Sequence, residues 1–382
     1  MKVVIVGEFL RALPWSPSRW IADLTRGLAG RGHEVTLCVD GIEDPRERRL
    51  PAEILLRRPT RTVRNRQPIR FQRWARSRLA ELARAGRADA TLSLTRLCEA
   101  GLWAPIGPPS RREFGALIRA RSIATVGMET LQQPWLPAAV LAERSARRAF
   151  ERDPHARRGI LGSATEPDGR TLALGYASDL TPLPDEHADA ARSRVRRMLS
   201  IPERAPLLVV AATHLTRRGL GECLAGVAAL SDEPFVVLLG RDTHSIHRVV
   251  LGAGLGSRAR LVGVTRALPE LFAAAEVLVQ PGAVIPRDST ARLTCDALRC
   301  GLPIVAAARA PGAELIAPNG SPPRGLVVDD PSPGGWSSAL SRAIDPGWNR
   351  AARKAAGSIA PCLSLGALVE RVEAALESLA DR

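Results

Sequence analysis

Two aspartates, Asp288 and Asp296, stand with seven residues between them in the stretch RDSTARLTCDALRCGLP, just before the apolar run GLPIVAAA. The apolar spacing after Asp288 predicts a helix that leads into a buried strand. A helix start presents unpaired amide donors and partial positive charge, which suit a phosphate or a sugar hydroxyl. A carboxylate two turns later can accept from two ribose hydroxyls. The spacing favours this site no more than its alternative, in which Asp288 or Ser289 caps the helix and Asp296 is solvated.

Two further loops follow apolar strands in the same half of the chain. In THLTRRG, Arg217 and Arg218 precede a glycine and a predicted helix, and a guanidinium there can clamp a diphosphate at two points. The alternative is a basic surface turn. The third loop is GRDTH, which begins at Gly240. Ligands of open α/β sheets bind beyond the carboxyl ends of the strands, so the three loops together predict one binding site.

The elements that must position these loops alternate along the chain. KVVIVGEFL, a helix around Arg19–Arg31 and GHEVTLCV form a βαβ unit, and strands alternate with helices again after residue 187. This pattern predicts two doubly wound, Rossmann-like parallel-sheet domains that face a cleft. We place the first domain at 1–176, a linker at 177–186, the second domain at 187–365 and a terminal helix that packs back toward the first domain at 366–382.

The net charge is +15, and almost all basic residues are arginines, since lysine occurs only at Lys2 and Lys354. The basic stretch 57–84 ends in a helical pattern with an apolar stripe. In the simpler interpretation, this is a surface helix whose apolar stripe packs on the protein itself. In the functional interpretation, it is an interfacial helix that binds an anionic membrane. The sequence has no recognition-helix module or zinc-finger spacing, so no specific nucleic-acid partner is expected.

The six cysteines are scattered without a CxxC pair, which predicts reduced core residues, and no cluster has metal-ligand spacing. No apolar run approaches the roughly 20 residues that span a bilayer, and the first strand is too short for the apolar region of a signal peptide. We therefore expect a cytoplasmic protein, with any contact at the inner face of the cell membrane being peripheral.

In this order, the motifs resemble those of the retaining glycosyltransferases of family 4, which have the GT-B fold. The resemblance is carried by LLVVAATHLTRRGL, FVVLLG, RLVGVTRALPELFAAAEVLVQP, the two spaced acids and ALRCGLPIVAA, together with LTRGLAGRGHEVTLC near the start. RRGL, RFQRWARSRLAELARAGRADATL and LALGYASDL are most similar to the lipopolysaccharide core glucosyltransferase within that family.

The resemblance implies a role for each matching position. Asp296 matches the acid that holds the nucleotide ribose, Asp288 the acid that contacts the donor sugar, and Arg218 the cation that stabilises the departing diphosphate. The other donor-side positions are Thr213, Arg217, Gly240, Thr265, Arg266, Ser289 and Thr290. The implied donor is a nucleoside-diphosphate sugar, with UDP-sugar expected, and neither a cofactor nor a metal is implied.

The chain departs from the family pattern at several points. Both motif acids are aspartates, one methylene shorter than the family's glutamates, and Thr213 stands where an arginine is usual. Gly7 is the only glycine around the turn after the first strand. The acceptor-side residue is expected after DATLSL, where Arg96 and Glu99 are the candidates, with Glu99 in a catalytic role.

The sequence thus predicts a metal-independent enzyme. It would transfer a hexose with retention to a glycan or lipid-linked acceptor, in the synthesis of cell-envelope polysaccharide or lipopolysaccharide. The alternative is a catalytically degraded pseudo-glycosyltransferase that acts as a scaffold or regulator.

Overall fold

Alternating strands and helices give the chain two parallel sheets in the computed structural model. The chain separates into two units, Met1–Tyr176 with Leu365–Arg382 (unit 1) and Ala177–Ser364 (unit 2). The structure describes residues 1–10, 19–42, 48–57, 67–95, 98, 100–103, 145–146, 148–153, 157–161, 171–175, 177–212, 217–240, 244–263, 267–282, 287–308, 310, 312–317 and 322–380.

Unit 1 contains a seven-stranded parallel sheet. Its strands are β1 Lys2–Leu10, β2 Glu34–Ile42, β3 Glu53–Leu56, β4 Ala90–Ser93, β5 Leu102–Trp103, β6 Arg157–Leu161 and β7 Thr171–Gly175, and its first helices are α1 Arg19–Gly30 and α2 Gln67–Arg84. The strand order is β3-β2-β1-β4-β5-β6-β7. The order reverses at β1, as a doubly wound sheet requires.

Unit 2 contains a six-stranded parallel sheet in the order β10-β9-β8-β11-β12-β13. Its strands are β8 Leu207–Ala211, β9 Phe235–Leu239, β10 Ala259–Val262, β11 Val277–Gln280, β12 Ile304–Ala307 and β13 Gly325–Val328. Its helices are α3 Asp185–Met198, α4 Arg217–Ala228, α5 His244–Gly252, α6 Leu268–Ala274, α7 Arg287–Arg299, α8 Ala313–Ile316, α9 Pro333–Ile344 and α10 Pro346–Ser358, and a 3-10 turn, Pro361–Leu363, follows. The prediction of two doubly wound parallel-sheet units is confirmed.

The central strands of unit 2 are apolar runs because helices cover both faces of the sheet. Every residue of β8 and β11 is buried. Val210, Leu238 and the fully buried Trp336 belong to one core cluster. Burying each such side chain stabilises the fold by about 1.5–3 kcal/mol, which holds the ends of these strands in fixed positions.

The apolar stripe of α2 packs on the sheet of unit 1. Phe71, Ala75 and Leu82 are buried in a cluster with Val4 and Cys38. This packing agrees with the simpler interpretation of the basic stretch, a surface helix whose apolar side faces its own protein. Among the described residues, no helix is both long and apolar enough to cross a membrane.

The basic composition of residues 144–158 predicts a helix, which is correct only for the first part of this segment. Residues 145–146 and 148–152 are helical, whereas Arg157 and Arg158 belong to β6. Pro154 explains the difference, because the residue before a proline is disfavoured in the helical conformation and the proline supplies no amide donor.

The last helix, α11 (Leu365–Ala380), packs in unit 1 after the chain has completed unit 2. A side chain at Gly27 of α1 would place its Cβ 2.2 Å from a methyl carbon of Val369, so only glycine permits this approach of the two helices. At the end of α1, Arg31 Nε donates to Glu373 at 2.6 Å, and His33 Nε2 lies 2.6 Å from the same carboxylate. The terminal helix is therefore fixed by close packing and by a charged cluster.

Candidate functional site

The order of the unit 2 strands creates a crevice between β8 and β11. These two strands pair in parallel, and the connections that follow them lead to α4 and α7. In a doubly wound sheet such a point, where successive connections go to opposite faces, opens beyond the carboxyl ends of the strands and is where ligands bind. Two of the three sequence-predicted loops leave the sheet here.

Glycines allow the chain segments around this crevice to approach closely. A Cβ at Gly219, in the first turn of α4, would lie 2.7 Å from the carbonyl oxygen of Pro281, which follows β11. A Cβ at Gly240, just after β9, would lie 2.6 Å from the carbonyl oxygen of Ala212. Gly282 has φ +112°, a conformation that side chains disfavour. The start of α4 therefore lies directly beside the end of β11.

Helix α4 begins at Arg217, so the predicted loop through Arg217 and Arg218 is wrong in its second half. Both arginines occupy the first turn, which contains no acidic residue. The first four amides of a helix have no partner within the helix, and the helix dipole adds partial positive charge there. The backbone of this turn is thus suited to an anion, and two arginines in the turn add to its positive charge.

Helix α7 begins at Arg287, so Asp288, Ser289 and Thr290 lie inside its first turn rather than before it. The sequence suggested a later start because these polar residues match the preferences of a helix cap. A capping role for Asp288 or Ser289 therefore does not fit the observed boundary. The amides of Asp288 and Ser289 belong to the unpaired group at the helix start.

Asp296 lies in the middle of α7 and is only 3% exposed. The alternative of a solvated carboxylate is therefore wrong. Its Oδ1 accepts a hydrogen bond from the hydroxyl of Ser178. Burying a charged group is costly unless it is hydrogen-bonded, and the Ser178 hydroxyl is one such partner.

Charged side chains beside Asp296 also contact the segment at residues 178–179. Arg292 Nη2 pairs with the carboxylate of Asp179, and Arg299 Nη1 donates to the backbone oxygen of Ser178 at 2.6 Å. Sequence reasoning did not identify Ser178, Asp179, Arg292 or Arg299 as site residues. The spacing of Arg292, Asp296 and Arg299, which places them on one face of a helix, was the available signal.

Cys295 in α7 and Cys300 just after it are packing residues. Burial raises the pKa of the Cys300 thiol to about 12, with the charge of Asp296 acting in the same direction. Burial likewise raises the pKa of Cys295 above the normal range. Both thiols are therefore protonated at neutral pH and are poor nucleophiles. Within the described residues, no group of three or more His, Cys, Asp or Glu side chains is arranged to hold a metal ion.

Several predicted residues are outside this crevice or outside the described part of the chain. Gly7 lies in β1 of unit 1, where a Cβ would come within 2.3 Å of Ile21 Cδ1, so this glycine permits α1 to pack on the strand. Four predicted residues fall outside the described residues: Arg96, Glu99, Thr265 and Arg266. Thr213 also falls outside them.

Comparison with known proteins agrees with this architecture. Residues 205–345 match the family model of glycosyl transferases group 1. No curated protein sequence matches the chain.

Among solved structures, the chain is similar to WaaG, a glycosyltransferase involved in lipopolysaccharide biosynthesis. The TM-score is 0.71 and the sequence identity 17%, and the match covers 98% of this chain and 99% of WaaG. It is also similar to a sucrose-phosphate synthase from Thermosynechococcus elongatus (TM-score 0.65, 15% identity, coverage 99% and 98%). A third is Anabaena HepE in complex with UDP and glucose (TM-score 0.59, 14% identity, coverage 99% and 100%).

Proposed function

We propose that the protein transfers a hexose from a nucleoside diphosphate to a glycan or lipid-linked acceptor, because residues 205–345 match the family model of glycosyl transferases group 1 and the chain is similar in fold to WaaG. The anomeric configuration is retained, as the family 4 motifs imply. The donor binds in the crevice of unit 2 between β8 and β11.

The observation that carries this proposal is the approach of the α4 start to the end of β11. Gly219 brings the first turn of α4 against Pro281, six residues before the start of α7. Two helix starts thus serve the same crevice, and each offers unpaired amides and partial positive charge. A nucleoside diphosphate leaves with its negative charge on the phosphates, and preorganised donors stabilise that charge in the transition state.

Individual residues have distinct tasks in the proposed site. Arg218, with Arg217 beside it, stabilises the departing diphosphate, and the amides of Ser289 and Thr290 bind its oxygens. These positive groups perform the task that a metal ion performs in other transferases, so the proposed reaction is metal-independent. Asp288 contacts the donor sugar.

Asp296 accepts from the ribose hydroxyls in the proposed complex, and the remaining donor-side positions are Thr213, Gly240, Thr265 and Arg266. UDP is the nucleotide we propose, in keeping with the structures of HepE with UDP and with UDP-glucose. The proposed acceptor-side residues are Gly7, Arg96 and Glu99 in unit 1, with Glu99 in a catalytic role.

The proposed acceptor belongs to the cell envelope. WaaG and the similar WaaB are described as glycosyltransferases of lipopolysaccharide, and WaaB covers 99% of this chain at a TM-score of 0.59. The basic stretch 57–84 would bring the protein to the inner face of an anionic membrane, where a lipid-linked acceptor resides. Its apolar stripe is already covered in unit 1, so the contact would be made by arginines on the outer side of α2.

The test is calorimetric titration of the wild-type protein with UDP, GDP and ADP, followed by UDP release from UDP-hexoses with and without a lipopolysaccharide-core acceptor. We expect micromolar binding of UDP and acceptor-dependent release. Arg218→Ala should weaken UDP binding by about 1.5–3 kcal/mol, the contribution of a hydrogen bond to a charged group. Binding without turnover of any donor would indicate the non-catalytic scaffold instead, and no nucleotide binding at all would refute the donor site.

A further inference from the structure

One face of α7 holds the segment at residues 178–179. Arg292, Asp296 and Arg299 are spaced by four and three residues, so their side chains share one face of the helix. All three contact residue 178 or 179, through the Asp179 carboxylate, the Ser178 hydroxyl and the Ser178 backbone oxygen respectively. The helix that begins in the proposed donor crevice is thus attached to this segment at three successive positions.

Ser178 is fully buried, and each of its polar groups has a partner. Its amide donates to the carbonyl oxygen of Leu363 at 2.8 Å, and its carbonyl oxygen accepts from Arg299. Its hydroxyl accepts from the amide of Leu180 at 2.9 Å and donates to Asp296. A hydroxyl has one proton, so a bond accepted from Leu180 directs that proton toward the carboxylate. Ser178 is therefore fixed on both sides and holds the carboxylate of Asp296 in one orientation.

We propose that Ser178 is a positioning residue for Asp296 in the donor site, an assignment that rests on the function proposed above. The family carries a glutamate where this chain has the shorter aspartate. The Asp296 carboxylate accepts a hydrogen bond from the Ser178 hydroxyl, and carboxylate oxygens can accept from ribose hydroxyls in the same way. In this proposal Ser178 orients Asp296 for the ribose, so the replacement of the family's glutamate by an aspartate does not indicate a degraded site.

The assignment makes a specific demand on ribose recognition. If Ser178 orients the acid that accepts from the ribose, its removal should reduce discrimination between UDP and 2′-deoxy-UDP. A site built to bind a hydroxyl rejects the analogue that lacks it. A residue that merely stabilises unit 2 would change the affinity for both nucleotides by the same factor.

The experiment is calorimetric titration of wild type, Ser178→Ala and Ser178→Cys with both nucleotides. Wild type should prefer UDP by about tenfold or more, the effect of one charge-assisted hydrogen bond. Ser178→Ala should reduce that preference to about threefold or less. Ser178→Cys keeps a side chain of similar size with a much weaker donor, so it should lose preference in the same direction. Ser358→Ala removes a hydroxyl that bonds to Ala355 O at 2.8 Å in α10 and should keep the wild-type ratio.

The outcomes separate the two proposals. UDP binding with an undiminished preference in Ser178→Ala would overturn the positioning role while leaving the proposed function intact. Failure of wild type to bind any nucleoside diphosphate would refute the proposed function, and the positioning role with it. If Ser178→Ala does not fold, Ser178→Cys decides the question, since a retained preference would overturn the role and a reduced one would support it.

Discussion

The two units differ in their net charge and in whether their arginine side chains are exposed or buried. Unit 1 has 33 basic and 22 acidic residues, a net of +11, whereas unit 2 has 21 and 17, a net of +4. In the stretch 57–84 of unit 1, ten arginines face a single acid, Glu81. In unit 2, Arg196 is fully buried and Arg292 is 2% exposed. On α2 of unit 1, Arg73 and Arg84 are exposed to solvent, whereas Arg196 and Arg292 of unit 2 lie inside the protein.

The internal use is clearest at Arg196 of α3. Its guanidinium donates to the carbonyl oxygens of Ala274, Pro202 and Ala205, and it pairs with Glu276 at 3.1 Å. The guanidinium has five donors in a rigid planar arrangement, so it can satisfy more carbonyls at once than the three donors of a lysine. In unit 2, Arg196 therefore holds α3 against the segments around residues 202–205 and 274–276. Because such buried arginines count toward the net charge, the net charge of unit 2 says little about what its surface binds.

The largest expected effect comes from removing the side chain of Arg196. Arg196→Ala should destabilise unit 2 by about 3–5 kcal/mol, because it leaves Glu276 and several carbonyls without their buried partner. Since the chain has two units, calorimetry should show the unit 2 transition shifting while that of unit 1 stays. Arg194→Ala is the control, because that exposed side chain reaches Glu270 only at 3.7 Å. Equal losses in both variants would contradict the distinction between buried and external arginines.

The next effect concerns the packing of α11 on α1 in unit 1. Gly27→Ala should cost about 1–3 kcal/mol, because the added carbon would meet Val369 and a packed interior accommodates extra volume poorly. Gly30→Ala, on the same helix with no atom within 4 Å of the added carbon, should be neutral or stabilising. Urea unfolding followed for unit 1 measures both. A neutral Gly27→Ala would mean that α11 is not closely packed there.

The external arginines should matter for binding rather than for stability. Arg73→Ala and Arg84→Ala change exposed side chains of α2, so each should alter the free energy of unfolding by less than about 0.5 kcal/mol. Each should weaken binding to phosphatidylglycerol-rich vesicles by about 1 kcal/mol, the attraction of one arginine to an anionic surface. Co-sedimentation at two salt concentrations measures this, with Arg350→Ala in unit 2 as the matched control. An equal loss in Arg350→Ala would attribute binding to net charge instead of to α2.

The smallest expected effect is a pH dependence of unit 1. Hydrogen bonding to His33, and then to Arg31, holds the pKa of Glu373 below its ordinary value of 4.5. A carboxyl whose pKa is depressed on folding stabilises the folded state above its unfolded pKa and loses that contribution as pH falls through the folded value. Unit 1 should therefore lose stability below about pH 4.5. The loss should be small, since ion pairs near the surface contribute little.

Glu373→Gln should make the unfolding midpoint of unit 1 less sensitive to pH in this range. Glu377→Gln, an exposed position on the same helix, should leave the pH dependence as in wild type. Identical pH profiles for wild type and Glu373→Gln would show that the charged cluster at the end of α1 does not stabilise the docking of α11.

The sequence was sufficient for the parallel architecture and insufficient for the details of the site. Apolar runs such as LLVVA and VLVQ predict buried parallel strands correctly, because a strand covered by helices on both faces must be apolar along its whole length. The starts of α4 and α7 were placed too late, since arginine, aspartate and serine in a first turn look like a loop.

The surroundings of Asp296 were beyond local reasoning. Its spacing from Asp288 identified a position of interest, and the helix was predicted correctly. Ser178, whose hydroxyl donates to Asp296, lies 118 residues away in the chain, in the segment predicted as a linker. No periodicity connects the two positions. Contacts of this kind depend on the fold as a whole, which is why buried polar pairs are the part of a site that a single sequence reveals last.

The parallel bridge between Ser178 and Ser364 has a consequence for biosynthesis. The entry and exit of unit 2 lie side by side, so unit 2 is an insertion that interrupts unit 1. Domains with adjacent ends can fold as separate bodies. On the ribosome, residues 177–364 emerge before α11, so unit 2 can reach its native state while the first 176 residues still lack the helix that packs at Gly27. The amino-terminal segment is thus made first and completed last.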